Sequence, residues 1–300
     1  MELTVPRREA HLSLRESLAR QSTRTMLWSG LVTLIVFIGA LGMLFPIAFM
    51  LTTSLKTSGN VFLLPIRWIP GLQFVPVWSN FGEALEFMDW STVYRNTLII
   101  SAGNMIGDTL SACLVAYGFA RFRAPGRQVL FTLVLATLMI PYQVRLVPEY
   151  LGYAKLGMVD TFWPLMLAPW FGSAFNIFLL RQFFMSIPIE MDEAAKIDGA
   201  GPVTVLTRIL IPQIRPALAA VAIGSFTFYW SDFLRPLIYL NQPSHRTAAI
   251  ALAGFTASYG ATPYNLLMAA ALAMLVPILV LFFVAQRYFI QGIVVSGVKG

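Results

Sequence analysis

Cysteine is almost absent from this chain: Cys113 is the only one in 300 residues. That excludes an internal disulfide and any CxxC metal or redox centre. Histidine is nearly as scarce, and His11 and His245 stand too far apart in sequence to suggest a His-based metal site. Asp, Glu, Lys and Arg together make up 12% of the residues, too few to cover the surface of a soluble domain of this length. The GxxxxGK[ST] phosphate loop is missing, so the chain does not hold ATP in that way, and HExxH and GxSxG are missing too. No apolar segment carries two carboxylates at helical spacing, as an intramembrane metal site or proton relay would require. Internal repeats, low-complexity tracts and a hydrophilic second domain are also lacking.

What the chain has is apolar length. Its residues are 57% hydrophobic and its mean hydropathy is +0.71. A helix needs about 20 mostly apolar residues to cross a bilayer. Six segments pass that test, at 27–51, 97–119, 129–146, 163–183, 217–240 and 266–290. None alternates polar and apolar residues as a barrel strand does. The expected fold is all-α, a polytopic membrane protein with six transmembrane helices.

Basic residues set the expected orientation. With the N-terminus in the cytoplasm, the inner segments hold 14 of the 21 Lys and Arg residues and the outer segments 7. Both termini are then cytoplasmic, and the net charge of +7 records orientation rather than a nucleic-acid partner. Residues 1–25 form an Arg-rich cytoplasmic arm, since the apolar run that follows is too long for a signal peptide and no A-x-A site follows it. The outer segment 52–96 carries Trp68, Trp78 and Trp90, which suits a wall at the membrane interface.

Charges inside the apolar segments are few. Asp108 lies in the second, with Asn104 one turn earlier on the same face. A carboxylate there must face the bundle interior or a water-filled cavity, as a pathway or hinge residue or as a structural hydrogen-bonding group. Asp232 and Arg235 are spaced to form an ion pair at a helix end, and Arg145 to snorkel to the interface. Pro46, Pro141, Pro164, Pro169, Pro236 and Pro277 each remove a backbone donor and predict a bend.

The longest inner loop, 184–216, reads differently. In "SIPIEMDEAAKIDGAGPVTVLTRILIPQIRPAL", Pro188 suits the start of a helix. Acids come early and Lys196 late, matching the helix dipole. Gly199 is the expected stop, and Pro202 opens a second helix over 203–211 that Pro212 interrupts. Ala194 and Ala195 offer small side chains that permit close approach of another surface, with Glu193 as a charged handle beside them.

This loop resembles the signature of permease subunits in bacterial ATP-binding-cassette importers: Glu-Ala-Ala, three residues, Gly, nine residues, Ile-x-Leu-Pro. The match falls on Glu193, Ala194, Ala195, Gly199, Ile209 and Pro212, with Ile211 where leucine is usual. The stretches "TTSLK" (52–56), "AYGFARFRAPGR" (116–127), "DFLRPLIYL" (232–240) and "VKG" (298–300) are similar to the G-type permease of the maltose-type sugar branch. The resemblance implies the type I importer fold, with an arm at 1–25 and a six-helix permease domain at 26–300. It implies a bacterial inner-membrane heterodimer with a second permease, two ATPase subunits and an extracytoplasmic substrate-binding protein. This chain would then be no enzyme and hold no cofactor, ATP and Mg being bound by the ATPase partners. Glu193, Ala194, Ala195, Asp198, Gly199, Ile209 and Pro212 would form the coupling element. Lys299 in the tail and Arg121, Arg123 and Arg127 after the second span are secondary contact candidates; the arginines equally suit lipid phosphates.

For the solute, carbohydrate sites use aromatic faces and hydrogen-bonding side chains. Asp108, Asn176, Tyr229 and Trp230 are the candidate pathway residues, with Trp170 and Tyr239 beside them; helix packing is the competing role for each. The alternatives are an importer for an amino acid, peptide or oxyanion, a stand-alone secondary transporter, and a membrane scaffold. The second calls for more intramembrane carboxylates and a repeat, and the coupling signature argues against the third.

Overall fold

The computed structural model describes the backbone of residues 7–257 and 262–296, and side chains across 28–256 and 262–286. Lys299 lies outside the described residues. Among the described residues every regular element is helical, and the chain divides into two compact units, 1–77 and 78–300.

In the first unit, α1 (Arg7–Ser54) runs unbroken through the Arg-rich segment and the first apolar run. Pro46 sits inside α1 without ending it. The chain then turns back, and the Val77 amide donates to the Leu55 carbonyl at 2.9 Å. The Trp68 ring packs on Phe45 and Phe49 of α1, with centroids 5.3 and 6.0 Å away. Trp68 thus packs the loop onto its own helix.

The second unit opens with α2 (Ser79–Phe87) and α3 (Trp90–Arg121), which begins seven residues ahead of the expected span. It continues through α4 (Arg127–Ala136), α5 (Tyr142–Lys155), α6 (Trp163–Met166) and α7 (Ala174–Ser186). The loop helices α8 (Glu190–Ile197), α9 (Pro202–Thr204) and α10 (Ile211–Gln213) follow. After them come α11 (Arg215–Trp230), α12 (Leu234–Tyr239), α13 (Ala248–Ala257) and α14 (Tyr264–Ser296).

Among the described residues, four helical stretches are long and apolar enough to cross a membrane: Trp28–Ser54, Trp90–Arg121, Trp163–Ser186 and Tyr264–Gln286. The expected third span is bent within 129–146, and a second bend falls just ahead of the expected fifth, inside the loop 184–216. The helix over Arg127–Met139 meets α5 at 98°, and Pro202–Gln213 meets α11 at 84°. At the first break Ile140 is extended (φ −86°, ψ 108°), as the residue before a proline prefers. The expected fifth span also ends early, at Trp230, with a non-helical break before α12. Pro277, like Pro46, lies in a helix that continues through it.

The axis of this unit is α3, and it is polar on the inside. Its buried stripe includes Asn96, Thr97, Ser101, Asn104 and Asp108, while Leu98, Ile99, Ile106, Leu110 and Leu114 are exposed. The apolar face points away from this chain's other helices, which take the polar one. Thr97 Oγ1 accepts from the Ala248 amide (2.8 Å), Asn104 donates to the Leu165 carbonyl (3.0 Å), and Asn96 donates to the Ser244 carbonyl (2.8 Å). Away from the helices, Asp160 accepts from the Asn241 and Gln242 amides and faces His245 Nδ1 at 3.3 Å. The Gln242 amide above all holds its carboxyl below the usual range.

Apolar packing concentrates where α3, α7 and α11 meet the loop, with Ala116, Leu180, Phe184, Val205, Leu210 and Ala217 buried together. Close approach is bought at Gly107, where a Cβ would lie 2.6 Å from the Trp170 ring. Gly107→Val should therefore lower the stability of the detergent-purified protein by about 1–3 kcal/mol, read by thermal unfolding. Gly118→Ala, with nothing within 4 Å, is the control and should move the midpoint little.

Candidate functional sites

The loop at 184–216 is built around α8. Its first turn is acidic and Lys196 lies in its last. Gly199 ends it with φ +81° while its amide donates to Lys196 and that of Ala200 donates to Ala195, a left-handed stop that favours glycine. The second helix of the loop is not regular: a three-residue α-turn passes into a π-helix over Val205–Leu210, then α10.

The residues expected to form the coupling element divide by what they face. Glu193, Ala194, Asp198 and Gly199 are exposed. Ala195, expected beside Ala194 on the approach surface, is instead buried in the chain's own core. Ile209 and Pro212 are half-buried, Ile209 against that core. Residues 190, 193, 194 and 197 lie on one helix face, and Ile197 is 87% exposed, with Val203 at 74% nearby in the loop. Ile197 was not singled out from sequence; its i, i+3, i+4, i+7 relation to Glu190, Glu193 and Ala194 is the signal that marks it.

Behind this face lies a buried charge pair. Asp192 sits 3.1 Å from Arg121 Nε at the end of α3, with side chains 3% and 7% exposed. Arg121 also donates to the Ile187 carbonyl (3.0 Å), and Tyr117 donates to the Pro202 carbonyl (3.1 Å). The loop is thus tied to α3 on both sides of Gly199.

The second site centres on Asp108. Its Oδ2 accepts from Ser225 Oγ (2.6 Å) and Asn176 Nδ2 (2.8 Å), and its Oδ1 accepts from the Ser173 amide (2.9 Å). Three helices, α3, α7 and α11, are joined through one carboxylate that is 2% exposed. Asp108 and Asn176 line a cavity of about 410 Å³ together with Phe175, Gly224, Phe228 and Tyr229. Trp230 does not join them: it is fully buried, donates from Nε1 to the Met274 carbonyl (3.0 Å) and stacks on Phe226. Trp170 covers Gly107, and Tyr239 is buried against Tyr150 and Tyr153. Ser173 and Ser225, which complete the Asp108 cluster, carry no signal in an apolar sequence context.

A neighbouring cavity of about 480 Å³ shares Ser173, Phe228 and Tyr229 with the first and is also lined by Tyr142, Arg145, Asp232 and Arg235. Arg235 Nε bonds Asp232 Oδ2 at 2.6 Å, and its guanidinium lies 5.2 and 5.0 Å from the Phe228 and Tyr229 rings. Asp232, expected within a helix, instead occupies the break before α12.

Residues 109–295 match the family described as binding-protein-dependent transport system inner membrane component. The chain belongs to that family. The family is a transport component rather than an enzyme. Among relatives, the chain is similar to the sn-glycerol-3-phosphate transport system permease protein UgpE of Brucella abortus (strain 2308). The two are 32% identical over 271 residues, covering 87% of this chain and 94% of the relative. It is also similar to the osmoprotective compounds uptake permease protein GgtD of Synechocystis sp. (strain ATCC 27184 / PCC 6803 / Kazusa), 35% identical over 223 residues and 74% of each chain. In fold it resembles a chain from a bacterial ABC transporter involved in the import of the acidic polysaccharide alginate. That likeness has a TM-score of 0.73 at 21% identity, covering 96% of this permease and all of that chain. A bacterial alginate ABC transporter in complex with alginate pentasaccharide-bound periplasmic protein gives 0.59 at 17%, covering 91% and 95%.

Two outcomes follow for this permease. Asp192→Leu alone strands Arg121 in a buried site and should cost about 3–5 kcal/mol, whereas the double variant Arg121→Leu/Asp192→Leu should cost less than either single; unfolding of all three in detergent measures it. Asp108→Ala removes the acceptor of three donors, leaving Asn176 only its bond to Ser225 Oγ (3.2 Å), and should lower stability by about 2–4 kcal/mol, with Asp108→Asn intermediate, read in the same assay.

Proposed function

We propose that this permease is one membrane-spanning subunit of an ABC importer for a carbohydrate or sugar derivative. It forms the pathway with a second permease, receives solute from an extracytoplasmic binding protein and is driven by two ATPase subunits, which bind ATP and Mg. In this reading the arm is residues 1–25 and the transmembrane domain 26–300, with six spans, both termini inside and the coupling loop at 184–216.

The observation that carries the proposal is the two-sided build of α8. Its outward face presents Glu190, Glu193, Ala194 and exposed Ile197, a low, apolar and acid-rimmed surface suited to a cleft on another subunit. Its inward face is fixed to α3 by the Arg121–Asp192 pair. A push on the outer face is thus delivered to α3, which carries Asp108 13 residues, or about 20 Å, further along. The carbohydrate class is supported by the company the chain keeps, relatives named for sn-glycerol-3-phosphate and a fold neighbour named for alginate, and by aromatic cavity walls at Phe175, Phe228 and Tyr229.

Backbone conformation at Gly199 provides the test, because no neighbour lies within 4 Å of a Cβ there. Gly199→Val strains the left-handed turn and should lower both solute uptake and substrate-stimulated ATP hydrolysis about tenfold in proteoliposomes of the assembled transporter. Gly199→Asn, which tolerates that conformation, should restore most of both. Normal uptake and hydrolysis by the valine variant would remove the lever from the proposal.

A further inference from the structure

Three interruptions of helical structure converge on the larger of the two adjoining cavities. They are the break at Pro141, the turn at Gly172 that precedes α7, and the break at Asp232 that precedes α12. Non-helical backbone at membrane depth is sustained where it lines a cavity, and a volume of about 480 Å³ lies in the range of small-molecule sites. The lining chemistry is distinctive: two guanidinium groups, Arg145 and Arg235, against one carboxylate, Asp232.

The two arginines are held differently. Arg235 is fixed by Asp232 at Nε and by the rings of Phe228 and Tyr229 on its flanks. One carboxylate oxygen at Nε does not exhaust a fork with five N–H donors. Arg145 is paired loosely, 3.5 Å from Glu149, with both side chains substantially exposed at 50% and 36%. An exposed i, i+4 pair of this kind is worth about 0–1 kcal/mol, so another anion can displace Glu149. A purely structural ion pair explains Asp232, Arg235 and the rings that flank Arg235, but it does not explain a second guanidinium, 5.9 Å from the Tyr142 ring, on the same cavity.

We infer that this cavity receives the negatively charged group of the transported solute, a carboxylate or phosphate carried on a sugar, between Arg145 and Arg235. The aromatic rings of Tyr142, Phe228 and Tyr229, which flank the two guanidinium groups, form the apolar wall beside that charged group. The inference rests on the permease reading above and narrows its solute to an anionic carbohydrate. Selection for charge occurs here rather than in the adjoining cavity, where the Asp108 carboxylate is already satisfied by three donors.

The test reads the cavity's charge without needing the solute. In a Cys113→Ala background, Ala174→Cys places a single thiol on the cavity wall. The full chain, assembled in proteoliposomes, is treated with methanethiosulfonate reagents that differ only in carrying a sulfonate or a trimethylammonium group. The anionic reagent should react faster relative to its rate with a free small thiol. Arg145→Gln should lower the anionic-to-cationic rate ratio about tenfold, the order expected on removing a unit charge at short range from a partly screened site, and Arg145→Lys should keep it. Misfolding alters access for both reagents together, so the ratio reports charge. A ratio unmoved by Arg145→Gln, or a thiol closed to both reagents, overturns the inference. Because no transport step is involved, that result is separate from failure of the uptake assay.

Discussion

A carboxylate withdrawn from solvent must find its hydrogen bonds inside the protein, and Asp108 finds three, each from an element distant in sequence from α3. This constraint orders the second unit. The donors come from the turn before α7, from α7 itself and from α11, so the three helices hold a common register. Asn96, Thr97 and Asn104 of the α3 stripe follow the same rule, each bonded to backbone of another segment. In a bilayer, where apolar surface gains little by leaving lipid, such bonds and close small-residue contacts specify packing better than greasiness does.

The same helix also carries the connection to the loop. Arg121, at the far end of α3, meets Asp192 of α8 in a site from which water is largely excluded. A buried pair is weak evidence of stability by itself but strong evidence of fixed geometry, since separating the partners strands a charge. The π-helix over Val205–Leu210 and the 84° turn into α11 complete a loop joined to α3 and continuous with α11. Motion of α8 therefore has no soft joint on the α3 side.

Much of this was legible in the sequence, because it rested on local rules. Acids before Lys196 and a glycine at 199 predict a short dipole-matched helix with a left-handed stop, and α8 has both. An acid within an apolar run predicts an inward carboxylate, and Asp108 faces inward. What escaped depends on partners far along the chain or on direction. Asp192 reads as one more surface acid until Arg121 is brought to it from 71 positions away. Ala195 has the same composition as Ala194 and the opposite environment. An apolar run also reveals length but not direction: Pro141 predicts a bend within residues 129–146 but not that it reaches 98°. The ten-residue α13 is too short to register in a test tuned to 20.

The long sequence intervals within the Asp108 cluster bear on how the chain is made. Ser225 lies 117 residues beyond the carboxylate it serves, roughly 6–23 s of ribosome time at ordinary elongation rates. When α3 emerges, none of its eventual donors has been synthesised. The helix therefore enters the bilayer with its polar stripe unhoused, and the insertion machinery must shelter that stripe until α7 and α11 arrive.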